Sequence, residues 1–277
     1  MSDGGDAGRG PGDEPPRDPS LRSGQAIPGH GIPRPHPPAS GGRPPVPSLT
    51  FKRELARKAL HLTSAAVPLA YGTGVVPFRV ALPALCALAA AALAVEAARA
   101  RSERARGYFT RAAGGLLRAH EHHRLSGATW MLLAFALAVG VFPRDVAAAA
   151  TWGVGVGDAA AAVVGKWWSA RHAARLARRA RLARQAGGGE ATRQAAAEPA
   201  AAGKTLAGSV ACAVATCAGA LLVARLGVGE SALAGAAAAA AERAEHPFDD
   251  NLRIVVGVGA TLVLWRVARA ALHGAFS

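Results

Sequence analysis

Aromatic residues, acids and cysteines are all scarce in this chain. Aromatic side chains make up 5% of the 277 residues although 51% are hydrophobic, so the apolar material is mostly alanine and other small residues. Strands of a β-sandwich want branched and aromatic residues, whereas small side chains suit helices that pack closely. The three cysteines, Cys86, Cys212 and Cys217, lie in apolar runs and form no CxxC pair. That excludes a small disulfide-stapled secreted scaffold and a cysteine metal knuckle. Only 18 acids face 32 Lys and Arg, giving a net charge of +14 and a pI near 11.3. A surplus of that size points to nucleic acid or to a membrane surface, and its distribution decides between them.

Residues 1–50 hold 12 of the 18 prolines and 10 of the 33 glycines, and their five Arg balance five Asp and Glu. Such a segment cannot bury enough apolar surface to fold and is expected to be a disordered tail. It has no apolar stretch behind a basic start, so it is not expected to be a secretory signal. The remaining residues, 51–277, carry 27 basic and 13 acidic side chains, and hence the whole surplus.

From about residue 59, apolar runs alternate with basic clusters. The runs, roughly 59–77, 79–97, 125–142, 145–165, 204–224, 228–241 and 252–272, approach the ~20 residues a helix needs to cross a bilayer. The sixth is short, mostly alanine, and contains Glu230. Sorting Lys and Arg by alternate loops puts 22 on one side and five on the other. By the positive-inside rule the tail and the basic loops face the cytoplasm. The expected architecture is therefore all-α: a polytopic membrane bundle of about seven transmembrane helices in 51–277, behind a disordered tail. A nucleic-acid binder would instead show one contiguous basic face and a base-reading element, and no nucleic-acid partner is expected.

Ionisable residues inside apolar runs are costly, which makes them functional candidates. Asp158 lies within Gly153-Val-Gly-Val-Gly-Asp158-Ala-Ala-Ala-Ala-Val-Val-Gly165, where the small residues leave room for a cation and a phosphate; a packing aspartate paired with an Arg is the alternative. Gly203-Lys204-Thr205-Leu-Ala-Gly208-Ser209 opens the fifth run. It is not a Walker A loop, because Glu198 stands where that motif needs a glycine. A helix start with free amides, a lysine and two hydroxyls still makes a phosphate cradle, against the alternative of a lysine snorkelling to the interface.

Glu242, Glu245, Asp249, Asp250 and Asn251 form the acidic cluster of this basic face. They are hard oxygen donors of the kind Mg²⁺ shares with phosphate; equally, Asp250 or Asn251 would serve as N-cap of the last helix. Two more clusters fall on the same side: Glu54, Arg57, Lys58 and His61, and Arg118 through Thr129 with His120, Glu121, His122 and His123. The adjacent histidines do not share a helix face as zinc ligands at i and i+4 would. All five features at one mouth imply a Mg²⁺–nucleotide or phospholipid-headgroup site that meets lipid from the bilayer.

The order Glu54…Arg57-Lys58…His61, Arg118…Glu121…Ser126-Gly127-Ala-Thr129, Gly157-Asp158…Gly165, Lys204-Thr205…Gly208-Ser209 and Glu242…Asp249-Asp250-Asn251 resembles the polytopic CTP-dependent lipid kinases. That family includes dolichol kinase, phytol kinase and diacylglycerol kinase of this type, and is related to phosphatidate cytidylyltransferase. The likeness covers about residues 51–272. It implies a multi-pass integral membrane protein, in the inner membrane if bacterial, with cytoplasmic active-site loops and a site that uses CTP (or ATP), Mg²⁺ and a lipid alcohol such as diacylglycerol, polyprenol or phytol.

On that reading Asp158, Asp250 and Asn251 hold or orient the metal. Lys204, Thr205, Gly208 and Ser209 bind phosphates, with Arg57, Lys58 and Arg118 as cationic clamps, and Glu121 or Glu242 accepts the hydroxyl proton. The stretch from Gly165 to Lys204 is longer and richer in Arg and Ala than the compact family loop. Val156-Gly157-Asp158 stands where the cytidylyltransferases carry Ser-x-Asp, which favours the kinase branch. A cytidylyltransferase making CDP-lipid, and a small transporter with acids in Gly-interrupted helices, are the alternatives.

Overall fold

The computed structural model describes residues 57–59, 61–114, 125–185, 203–244 and 248–275. Among the described residues every regular element is helical, as the alanine-rich composition and the helical propensity of Ala, Leu and Arg require. Residues 57–59 and 61–63 are helical and lead into α1 (Ala66–Gly72), followed by α2 (Phe78–Arg101), α3 (Glu103–Ala113), α4 (Gly127–Val141) and α5 (Arg144–Trp152). A π-helical turn, Gly153–Gly157, joins α5 to α6 (Asp158–Gln185), and α7 (Leu206–Leu222), α8 (Val228–Arg243) and α9 (Asp250–Ala275) complete the order.

Helix starts follow local chemistry. Ser126 and Thr205 cap α4 and α7, their hydroxyls accepting from the amides of Thr129 (3.4 Å) and Gly208 (3.1 Å). Pro77 and Pro143 precede α2 and α5, where a missing N–H costs nothing. At α9 the cap is neither Asp250 nor Asn251. Asp249 does this work, its Oδ1 accepting from the Asn251 amide at 3.0 Å, which leaves Asp250 as the first helical residue and free to point elsewhere.

The α5–α6 helix is the centre of the bundle. Of its most apolar stretch 72% is buried, against 17% for α2 and 28% for α9. Val146 through Ala150 have no exposed surface, and α5 packs against α1, α4, α7 and α9. Glycine makes the approach close enough: a Cβ on Gly235 of α8 would sit 2.5 Å from the Ala213 carbonyl of α7, and one on Gly208 2.7 Å from the Ala161 carbonyl of α6. This is backbone-to-backbone packing with little side chain between, the mode small residues permit. On the outer helices large apolar side chains face outward, Val80, Leu88, Val214 and Leu264 among them, a surface a water-soluble monomer rarely shows.

Three helices are long and apolar enough to cross a membrane: Phe78–Arg101, Arg144–Leu182 and Asp250–His273. Each of the seven expected runs contains helix, but four fall short. Gly127–Val141 and Leu206–Leu222 are apolar but have 15 and 17 residues, about 23–26 Å of helix against ~30 Å of hydrocarbon. The first run is broken at Ser64 and Ala65 before α1, and α8 is a 16-residue helix carrying Glu230.

The fourth run does not end at Gly165. Its basic sequel, expected to be loop, continues as helix to Gln185, because Ala, Arg and Leu favour helix and no Gly or Pro intervenes before Gly187. Residues 1–50 lie outside the described residues, as do Glu54, Arg118, the His120–His123 cluster with Glu121, and Glu245.

Candidate functional site

Four segments distant in sequence meet at one end of the bundle. Lys58 comes from the short helix before α1, Asp158 opens α6 directly after the π-helical turn, Lys204 and Thr205 precede α7, and Glu242 and Asp250 end α8 and begin α9. These six, with Gly208, line a cavity of about 180 Å³. Lys166, Ser169, Gly165, Gly203 and the alanines Ala161 and Ala162 complete its wall.

The π-helical turn has a local cause. Five residues, Gly-Val-Gly-Val-Gly, lie where neighbours press in: a Cβ on Gly155 would meet the Ser64 Oγ at 2.9 Å and one on Gly153 the Thr216 side chain at 3.3 Å. A wider turn among glycines absorbs that crowding, and such turns recur where a helix presents a functional side chain. Here the next residue is Asp158.

Asp158 and Lys58 form a direct ion pair, with 5% and 3% of their surfaces exposed. His61 stands beside them, Nδ1 3.8 Å from the same carboxylate oxygen and without a hydrogen-bond partner. Two buried charges tolerate each other only as a pair; removing either leaves the other uncompensated at a cost of about 3–5 kcal/mol.

Across the cavity Lys204 donates to the Glu242 carbonyl and lies 3.4 Å from its carboxylate. Ser209 donates to the Glu242 carboxylate at 3.4 Å. Gly208 and Gly165 are the crossing point of α7 and α6: a Cβ on Gly165 would meet Thr205 Oγ1 at 3.0 Å. The glycines therefore let the capped start of α7, with its amides, sit against the Asp158 helix.

Three expected site residues, Ser209, Asn251 and Arg57, are not among those that line the cavity. Asn251 is 2% exposed and its amide donates to the Gly127 carbonyl (3.2 Å) and to Asp249 Oδ1 (2.7 Å), tying α9 to α4. Arg57 is buried but is not among the cavity-lining residues. Arg118 and Glu121 lie outside the described residues.

Three further groups belong to no sequence motif. Lys166 lines the cavity, and in sequence it is one of many basic residues that follow Gly165. Glu96, near the end of α2, accepts from the Ser126 amide and the Thr129 hydroxyl, both at 3.0 Å, and pairs with Arg99; a carboxylate inside an apolar run was the available signal. At the far end of the bundle Arg266 binds Asp145 and Glu230 together, with nitrogen–oxygen distances of 2.5 and 2.9 Å.

The donor set suits a metal carried with phosphate. Asp158 and Asp250 open on the same space, and Mg²⁺ is commonly held by one or two carboxylates while phosphate oxygens and water complete its shell. Among the described residues no three His, Cys, Asp or Glu side chains converge as a protein-only metal cage. Lys58, Lys166 and Lys204 share the wall with Asp158, Glu242 and Asp250. Compared with family models, with curated proteins and with solved structures, the chain matches none of them.

Proposed function

We propose that this chain is an integral membrane lipid kinase that transfers the terminal phosphoryl group of a nucleotide, CTP by resemblance, to a lipid alcohol. One observation carries the reading: Lys58, Asp158, Lys204, Thr205, Glu242 and Asp250, drawn from separate sequence blocks, border a single cavity. It is supported as well by the position of that cavity at the end of a bundle with an apolar outer surface, where a lipid hydroxyl and a charged nucleotide can meet. The chain is multi-pass in this reading, with the cavity at the cytoplasmic mouth, since the basic clusters flank it.

In the reaction the lipid hydroxyl oxygen attacks the γ-phosphorus, the bond from that phosphorus to the β-phosphate oxygen breaks, and CDP leaves. The hydroxyl proton passes to a carboxylate, Glu242 or Glu121. Lys58, Lys166 and Lys204 stabilise the charge spread over the transferring group, and the capped amides of α7 hold the phosphate oxygens. Asp158 and Asp250 would hold Mg²⁺, which would supply neutralisation of the phosphate charge.

The test is product identity. Purified protein with Mg²⁺, CTP or ATP, and a panel of diacylglycerol, polyprenol and phytol should give a phosphorylated lipid and the nucleoside diphosphate by mass. Pyrophosphate and a CDP-lipid would replace the kinase by a cytidylyltransferase. No product with any pair would overturn the reading.

A further inference from the structure

Beside the cavity described above lies a larger one of about 350 Å³, which shares Ser169, Gly203, Lys204 and Thr205 with it. Its other wall is α6, where Trp168 and His172 stand one helical turn apart and so on one face. This part of α6 belongs to the helical extension beyond Gly165. The two neighbouring indoles differ: Arg171 lies 4.1 Å over the ring of Trp167, whereas Trp168, 51% exposed, borders the cavity. In the same lining, Gly203 has φ +151°, a backbone conformation other residues avoid. A Cβ there would meet nothing within 4 Å. An exposed indole, a glycine with open space around it and a serine in one cavity lining are the chemistry that can take a planar π-system. Its volume lies within the roughly 300–1,000 Å³ of small-molecule sites.

We propose that this second cavity receives the nucleoside of the donor nucleotide, the base stacking on Trp168 beside His172 while the phosphates pass Lys204 into the first cavity. The inference rests on the nucleotide-dependent reading above and assigns a binding role to an extension that no motif covers. Lys204 and Thr205, shared by both cavities, sit where a nucleotide's base and phosphates would diverge. Stacking accepts any base, so Trp168 contributes affinity for ATP as for CTP, and Ser169 and His172 offer the polar atoms for the base edge.

Binding of radiolabelled CTP to the purified full chain in detergent with Mg²⁺, by equilibrium dialysis, tests this without turnover. Trp168→Ala should weaken CTP binding about tenfold, the scale of one base–aromatic stack, and Trp168→Phe should recover most of it. Inorganic tripolyphosphate, which has no base, should compete equally well against all three proteins. Unchanged CTP affinity in both Trp168→Ala and His172→Ala overturns the subsite and leaves the kinase reading standing. Equal weakening of tripolyphosphate also overturns it. Failure of the native chain to bind either CTP or ATP removes both.

Discussion

At one end of the bundle Arg266 reaches Asp145 with two nitrogens, at 3.3 and 2.5 Å, and Glu230 with two contacts, at 3.1 and 2.9 Å. At the other end Lys58 meets Asp158, Lys204 meets Glu242, and Lys166 and Asp250 stand in the same cavity wall. The same helices supply both ends: Asp145 and Asp158 on α5–α6, Glu230 and Glu242 on α8, Arg266 and Asp250 on α9. Each pair is 12 to 16 residues apart, roughly 18–24 Å along a helix. The difference lies in the cation. A guanidinium is a rigid fork whose donors two carboxylates nearly saturate, so that end is a clamp. An ammonium is a point charge on a flexible stem, so the lysine end is held less rigidly.

The comparison is broken most severely at the lysine end. Asp158→Asn and Lys204→Ala should each cut label transfer from γ-labelled CTP to lipid by on the order of 10²–10³-fold, the scale of removing one preorganised electrostatic group. Because Asp158→Asn also strips the partner from buried Lys58, the more exposed Lys204→Ala carries the decision; native activity in Lys204→Ala would contradict the assignment.

Arg266→Ala should do the reverse. The loss of charge-assisted bonds, partly screened at this half-exposed site, should destabilise the fold by about 1.5–3 kcal/mol, read as a lower unfolding midpoint in detergent. Transfer per folded molecule should stay at the native level. Arg266→Lys should recover only part of the midpoint, because lysine cannot fork. A transfer defect with a native midpoint would mean that the far end is not simply a clamp.

The smallest effect concerns the joint between the ends. Gly235 sits on α8 between Glu230 and Glu242, against the Ala213 carbonyl. Gly235→Ala should cost about 1–3 kcal/mol by overpacking and reduce midpoint and transfer together. Gly229→Ala on the same helix meets open space and should leave both unchanged.

Much of the cavity end was legible beforehand. Asp158, Lys204, Glu242 and Asp250 stand out in sequence because a charge in or beside an apolar run is expensive and needs a reason. Glu96 satisfied the same criterion and was absorbed into its run. The Arg266 clamp has no sequence signal, since neither Asp145 nor Glu230 is near it in sequence. Asn251 has the chemistry of a ligand, yet its amide is spent on the Gly127 carbonyl, 124 residues away; no spacing rule reaches that far.

The sequence by itself determined the helical class, the small-residue packing, and the concentration of basic charge around alternate loops, because propensity, side-chain volume and charge are properties of each residue and its near neighbours. The tertiary structure alone decided which apolar runs are long enough to cross a membrane, that α6 continues past Gly165, and which charge faces which. Lys58 and Asp158 are 100 residues apart, and their pairing exists only because glycine-lined helices approach closely enough to bury both.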